Sequence, residues 1–246
     1  MISQNIKNNL RFLFTILFVY IILFEFIIPP NKFIPQPTIL WESIIHLWTI
    51  YNFGLALIST ATIVYISIMI SFLWVIYFRG LIIKYLVTYK KSFEVFRIFR
   101  YFPAFFFAIL FAVWFKSSLT AEIIFGFLVS LILILLKVNE LIPVVKSEFI
   151  IFTHQTNPRK MFSETYWKSI LPKLFQHLYR IQIYLWTLIL IYEFISESIG
   201  VGLVYKNALS YNDLGAIISI SIFMSIVVWL SNIILKYVEK KMIYWE

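Results

Sequence analysis

Residues 53–78 read FGLALISTATIVYISIMISFLWVIYF, an unbroken apolar run that meets its first charge only at Arg79. An α-helix needs ~20 such residues to cross a hydrocarbon core ~30 Å thick. The run is longer than that, so it predicts a membrane-spanning helix and sets the frame for the rest of the chain. Further apolar stretches lie on both sides, at about 12–28, 93–115, 121–145, 181–199 and 214–235. The expected fold is an all-α membrane protein of about six transmembrane helices, a single membrane domain over residues 1–246. Composition agrees. The chain is 61% apolar, 20% aromatic and 13% charged, with a mean hydropathy of +0.88. Soluble domains carry ~25% charge.

The segments between the runs refine this picture. The first run ends at Pro29 and Pro30, which cannot continue a helical hydrogen-bond ladder. It is too long for the apolar region of a secretory signal and no small-residue cleavage site follows, so it is expected to be retained. Residues 29–51 include Trp41, Trp48 and Tyr51 and read as an interfacial segment with a short amphipathic helix.

Basic residues fall in clusters: Lys7 and Arg11; Arg79, Lys84, Lys90, Lys91, Arg97 and Arg100; Lys146, Arg159, Lys160, Lys168, Lys173 and Arg180; Lys236, Lys240 and Lys241. Lys32, Lys116 and Lys206 lie in the alternate loops, and Lys137 lies inside a span near its inner end. The positive-inside rule then places both termini and a long loop, 146–180, in the cytoplasm of a bacterial-type inner membrane. The same clustering explains the net charge of +9 by topology, with no nucleic-acid partner.

Several chemistries are excluded. There is no cysteine for a disulfide, a thiolate metal site or a nucleophile. His46, His154 and His177 never stand at metal-ligand spacing, so neither metal nor cofactor is expected in the chain. Glu193 lies within the fifth span, where insertion scales charge roughly 2.5–3.5 kcal/mol for the related Asp. It should face protein or a water-filled path, either as a gate residue or as a structural glutamate at a helix contact. Glu197, one turn on, shares its face, whereas Glu25 is nearer a helix end. Gly200 and Gly202 stand close together in a chain with six glycines. They call for a turn with positive φ, a close backbone approach, or a plain helix C-cap. The many Phe and Trp side chains serve lipid contact and core packing.

A wider pattern joins these residues. Leu171-Pro172 ends the long loop; Arg180, Tyr192-Glu193, Gly200-Val201-Gly202, Asp213, Glu239-Lys240 and Trp245 follow in order. Upstream stand Arg100-Tyr101-Phe102-Pro103-Ala104 and the proline-rich stretch 29–41. This order and spacing resembles the permease subunit of binding-protein-dependent ABC importers, in the branch serving nitrate, sulfonates, taurine, bicarbonate and thiamine-precursor pyrimidines. One element departs from the family. Its Glu-Ala-Ala, three residues, Gly signature falls here on Thr153, His154, Gln155 and Arg159, and none of the four matches.

The resemblance implies an ABC importer permease-like fold and a transport subunit that is not an enzyme. Glu193, Gly200 and Gly202 would belong to the translocation path and its outer gate. Asn157, Pro158, Arg159, Lys160, Met161 and Phe162 would form the segment coupled to a cytoplasmic ATPase. The implied partners are ABC ATPase subunits, a second permease copy or a homologous permease, an extracytoplasmic substrate-binding protein, and membrane lipids. ATP and Mg would be bound by the ATPase partners, because this chain has no Gly-x-x-x-x-Gly-Lys-Ser/Thr loop. Two other classes compete: a membrane scaffold or assembly subunit, and a membrane-embedded enzyme, which needs convergent polar groups at one depth.

Overall fold

The structure, a computed structural model, describes residues 4–29, 34–88, 103–116, 118–142 and 160–243. All regular elements among them are helical. In chain order these are α1 (Gln4–Ile22), which continues into a π-helical turn (Leu23–Ile27), α2 (Pro37–Thr49), α3 (Phe53–Thr88) and α4 (Ala104–Trp114). They are followed by α5 (Leu119–Leu141), α6 (Lys160–Ser196), α7 (Val201–Ser210) and α8 (Leu214–Met242). Four helices are long and apolar enough to cross a membrane, at Phe53–Leu86, Leu119–Leu141, Tyr166–Ser196 and Leu214–Met242. Two shorter apolar helices, Phe14–Ile27 and Ala104–Trp114, fall where the first and third spans are expected. The expected start of the third span lies outside the described residues.

Two helices extend well beyond their expected bounds. The first is α3, whose span is expected to end at Arg79 with some helical extension beyond, and which runs on to Thr88. Its buried positions Val64, Ser67, Ile68, Ser71 and Val75 continue past the arginine to Ile83 and Leu86, so one face still has a core to pack on. The second is α6, which begins at Lys160, inside the stretch expected to be loop until Arg180. Tyr166, Trp167, Ile170, Leu171, Leu174, Phe175 and Leu178 recur at helical spacing and are buried. Lys168, Lys173 and Gln176 occupy the exposed face between them. The expected Leu171-Pro172 loop end is therefore mid-helix. Pro172 removes one backbone bond there but stays buried within the continuous helix. An ion pair, Arg79 Nη2 to Glu164 Oε1 at 3.6 Å, ties these extensions of α3 and α6 together.

The chain divides into two compact units. The first holds residues 1–54 and 204–225. In it Glu25 accepts from the backbone N–H (3.4 Å) and hydroxyl (3.2 Å) of Thr38 in the first turn of α2. Trp48, Phe53 and Phe223 form a cluster of rings with centroids 5.7–6.1 Å apart. Asp213 caps α8, accepting from the N–H of Ala216 at 2.9 Å. The Tyr51 hydroxyl donates to its other oxygen at 3.4 Å. Burial and this carboxylate raise the Tyr51 pKa above its ordinary value, so the phenol remains a neutral donor.

The second unit, residues 55–203 and 226–246, contains most of the buried core. Here α4, α5 and α6 pack on one another. Phe125 of α5, fully buried, stacks on Tyr192 of α6 at 5.5 Å and meets Phe107 and Phe111 of α4 at 5.8 and 5.7 Å. Small residues bring α3 against α5. A Cβ on Gly126 would lie 2.5 Å from Ser67 Oγ, and Ser71 Oγ donates to the carbonyl of Phe127 at 3.0 Å. Apolar side chains gain little by leaving lipid for one another, so close backbone approach and hydroxyl hydrogen bonds are what join such helices.

Candidate gate site

The last turn of α6 carries Tyr192 and Glu193, both fully buried. The helix ends where the Glu197 backbone turns left-handed, with φ 59°, and its N–H still bonds the Glu193 carbonyl at 3.0 Å. The chain then reverses through Ser198, Ile199 and Gly200 and enters α7 at Val201. A helix start leaves its first N–H groups without intrahelical acceptors. Two side chains supply them here. The Glu193 carboxylate reaches forward, and its Oε2 accepts from the Gly202 N–H at 2.7 Å. Thr60 of α3 accepts the Val201 N–H at 2.9 Å and donates its hydroxyl to Glu193 Oε1 at 2.6 Å. Ser59, beside it, donates to the Ile199 carbonyl at 2.9 Å. The reversal is thus pinned from behind by Glu193 and from the side by α3. A carboxylate at this place also complements the positive end of the α7 dipole.

The two glycines belong to the same arrangement, and the reason is close approach. Neither has positive φ. A Cβ on Gly200 would fall 2.1 Å from the Glu193 carboxyl. One on Gly202 would fall 2.3 Å from the Leu190 carbonyl oxygen and 2.7 Å from Glu193 Cβ. The left-handed residue that ends α6 is Glu197, not a glycine. Of a positive-φ turn, a close approach and a C-cap, the geometry of these glycines fits the close approach.

A second carboxylate joins the cluster, and sequence reasoning missed it. Glu122, in the first turn of α5, is fully buried, and its Oε2 accepts from Ser198 Oγ at 3.1 Å. Ser196 Oγ donates in turn to Ser198 Oγ at 3.0 Å. No donor among the described residues reaches Glu122 Oε1. Its signal was available: an acidic residue directly after Ala121 at the head of an apolar run.

Glu193, Gly200 and Gly202, singled out separately, are therefore brought together in one turn with Thr60, Ser198 and Glu122. Thr60, Glu122, Glu193 and Ser196 have no exposed surface. Glu193 is hydrogen-bonded to Gly202 and Thr60 and has no exposed surface. The coupling segment is described only in part. Asn157, Pro158 and Arg159 lie outside the described residues, while Lys160, Met161 and Phe162 form the first turn of α6.

Comparison with known proteins gives one match. The model of the family described as binding-protein-dependent transport system inner membrane component matches residues 87–244, more than half of the chain. The match takes in Glu122, Glu193, Gly200 and Gly202, while Thr60 precedes it. No curated protein and no solved structure matches the chain.

Proposed function

The chain belongs to the family of inner membrane components of binding-protein-dependent transport systems, and from that premise we propose how it works as the permease of an ABC importer. The family is a transport component and not a class of enzyme. Two permease subunits, either two copies of this chain or one with a homologue, enclose a path for a small polar solute. An extracytoplasmic binding protein delivers that solute. Separate ATPase subunits, holding ATP and Mg, dock on residues 157–162 from the cytoplasm.

The observation that best supports this reading is that one helix carries both ends of the mechanism. α6 opens with Lys160, Met161 and Phe162 and closes at the Glu193 staple. Its 37 residues at ~1.5 Å each make a rod of ~55 Å. A bilayer with its headgroups is ~40–45 Å thick. One end must stand clear of lipid, and the end with Glu164, Lys168 and Lys173 exposed is the one suited to water. Closure of an ATPase dimer against that end displaces the rod, and the displacement reaches the turn at 197–200 through the staple. Glu193 then acts by holding the gate turn to α6 and does not touch cargo.

Affinity purification of the tagged chain from its native membrane tests this. An ABC ATPase should co-purify. Truncating a buried aromatic anchor commonly costs ~2 kcal/mol or more, about 30-fold in association. Met161→Ala/Phe162→Ala should therefore lose the ATPase, while Lys173→Ala should keep it. Normal recovery with the double variant would remove residues 157–162 from the docking role. Recovery of the native chain without any ATPase would refute the importer reading.

A further inference from the structure

Between α4, α5 and α6, within the second unit, lies a cavity of about 560 Å³. Its walls are divided by polarity. At one end stand Val129, Leu133 and Tyr184; at the other stand Lys137 and Glu140 of α5 with His177 and Arg180 of α6. Along α5 the order runs from Val129 to Glu140, and along α6 from Tyr184 back to His177. The two helices thus agree on which end is apolar and which is charged. Lys137 Nζ donates to Glu140 Oε2 at 3.0 Å, and Arg180 and His177 line the same end of the cavity. Lys137 lies in the C-terminal part of α5, the end that faces the cytoplasmic side on the proposed orientation, on which this inference rests.

We propose that this cavity binds an anionic phospholipid, with an acyl chain lying along Val129 and Leu133 and the headgroup phosphate on Arg180 and His177. Charge selects the occupant. Two fixed cations against one carboxylate leave the rim net positive, and a guanidinium holds a phosphate in bidentate fashion. A basic pocket between transmembrane helices at the cytoplasmic side suits such a headgroup. The apolar walls speak against a small polar solute, which would lose its hydration there with almost nothing to replace it. Nor is the cavity sealed within the bundle: Tyr184 is 42% exposed at the apolar end and Arg180 is exposed at the other.

The test exchanges the purified full-length protein, in whatever assembly it forms, into micelles containing equal phosphatidylglycerol and phosphatidylcholine. Native mass spectrometry then counts the retained lipid. The wild type should retain phosphatidylglycerol preferentially. Removing one cation near the membrane surface, by Arg180→Gln, should cut that retention about fivefold and leave phosphatidylcholine unchanged. Arg180→Lys should keep most of the preference. Leu133→Trp, which fills the apolar end, should reduce both lipids. Should Leu133→Trp not fold, the two variants at exposed Arg180 decide the matter alone. Equal retention of the two lipids by the wild type overturns the proposal, as does full retention by Arg180→Gln. Displacement of the lipid by millimolar inorganic phosphate also overturns it, because the site would then be one for a free anion.

Discussion

Replacing Glu193 by glutamine and by alanine should have very different consequences, and the difference follows from counting donors. The carboxylate accepts from Gly202 N–H at 2.7 Å and from the Thr60 hydroxyl at 2.6 Å. In Glu193→Gln the amide oxygen still accepts from Gly202. The new NH₂ group meets Thr60, whose hydroxyl can turn to the Ala56 carbonyl, already 3.1 Å away. Every buried group keeps a partner, so the cost should stay below ~1 kcal/mol, the worth of one ordinary hydrogen bond. Glu193→Ala leaves the Gly202 N–H without an acceptor, at about 1–3 kcal/mol, and leaves the volume of the lost side chain empty as well. Together these amount to roughly 2–5 kcal/mol, the range for a large-to-small core change. For a chain of this length each kcal/mol moves the midpoint by ~2–4 °C. Thermal unfolding in detergent should therefore show Glu193→Ala lowered by about 10 °C, with Glu193→Gln within a few degrees of the native protein. Thr60→Val should resemble Glu193→Ala, and the double variant should lose less than the sum by about 1–2 kcal/mol, as contacting partners do. Solute uptake should follow the same order, with glutamine near native. If glutamine falls as far as alanine, the charge matters and not its acceptors, and the staple is the wrong account. Strict additivity of Glu193→Ala and Thr60→Val would refute it equally.

Four further expectations concern other residues. Gly202→Ala places a Cβ 2.3 Å from the Leu190 carbonyl oxygen and 2.8 Å from the Phe194 nitrogen; backbone atoms cannot swing aside, so thermal unfolding should show a loss of ~1–3 kcal/mol or more. Gly200→Ala meets the Glu193 carboxyl first, at 2.1 Å, and its penalty should shrink in a Glu193→Ala background; an undiminished penalty would point to a different constraint on Gly200. Asp213→Ala should cost ~1 kcal/mol in the same measurement through loss of the α8 cap, while Asp213→Asn should cost much less. Because the chain has no cysteine, Lys116→Cys and Lys206→Cys should react with an impermeant thiol reagent from outside the cell and Lys90→Cys and Lys160→Cys should not. Labelling at residue 160 from outside would reverse the proposed orientation.

The apolar runs could be read in advance because hydrocarbon imposes them. Helices occur at all six expected places among the described residues, and four are long enough to cross a membrane. The extent of α6 was hidden for a physical reason. Between residues 160 and 180 the helix is amphipathic, with Lys168, Lys173 and Gln176 exposed around a buried Trp167–Leu171–Leu174–Leu178 face. Average polarity reads such a segment as loop, whereas its 3.6-residue period reads as helix. Arg79 ends the apolar run without ending the helix beneath it, and the extension expected beyond it is present as far as Thr88. Asp213 entered only as part of the family pattern; its cap on α8 and its bond to Tyr51, 162 positions away, came from the structure.

The two buried glutamates show where sequence reasoning stops and geometry begins. A carboxylate in a membrane span must find donors or a wet path, and sequence alone leaves both options open for Glu193. What separates them is the position of α7. The Gly202 N–H at its start and the Thr60 hydroxyl of α3 converge on the Glu193 carboxylate, and Thr60 takes the neighbouring Val201 N–H, so the buried carboxylate has protein donors. Glu122 accepts from Ser198, and its carboxyl stands against that of Glu193. The bonds at Glu193 tie α6, α3 and α7 to one another, and Glu122 joins the head of α5 to the same cluster. The reversal and the start of α7 are bonded to α5 through Ser198 and Glu122, to α3 through Ser59 and Thr60, and to α6 through Glu193. A turn joined to three helices cannot shift alone, so a displacement of any one of them is felt at the turn.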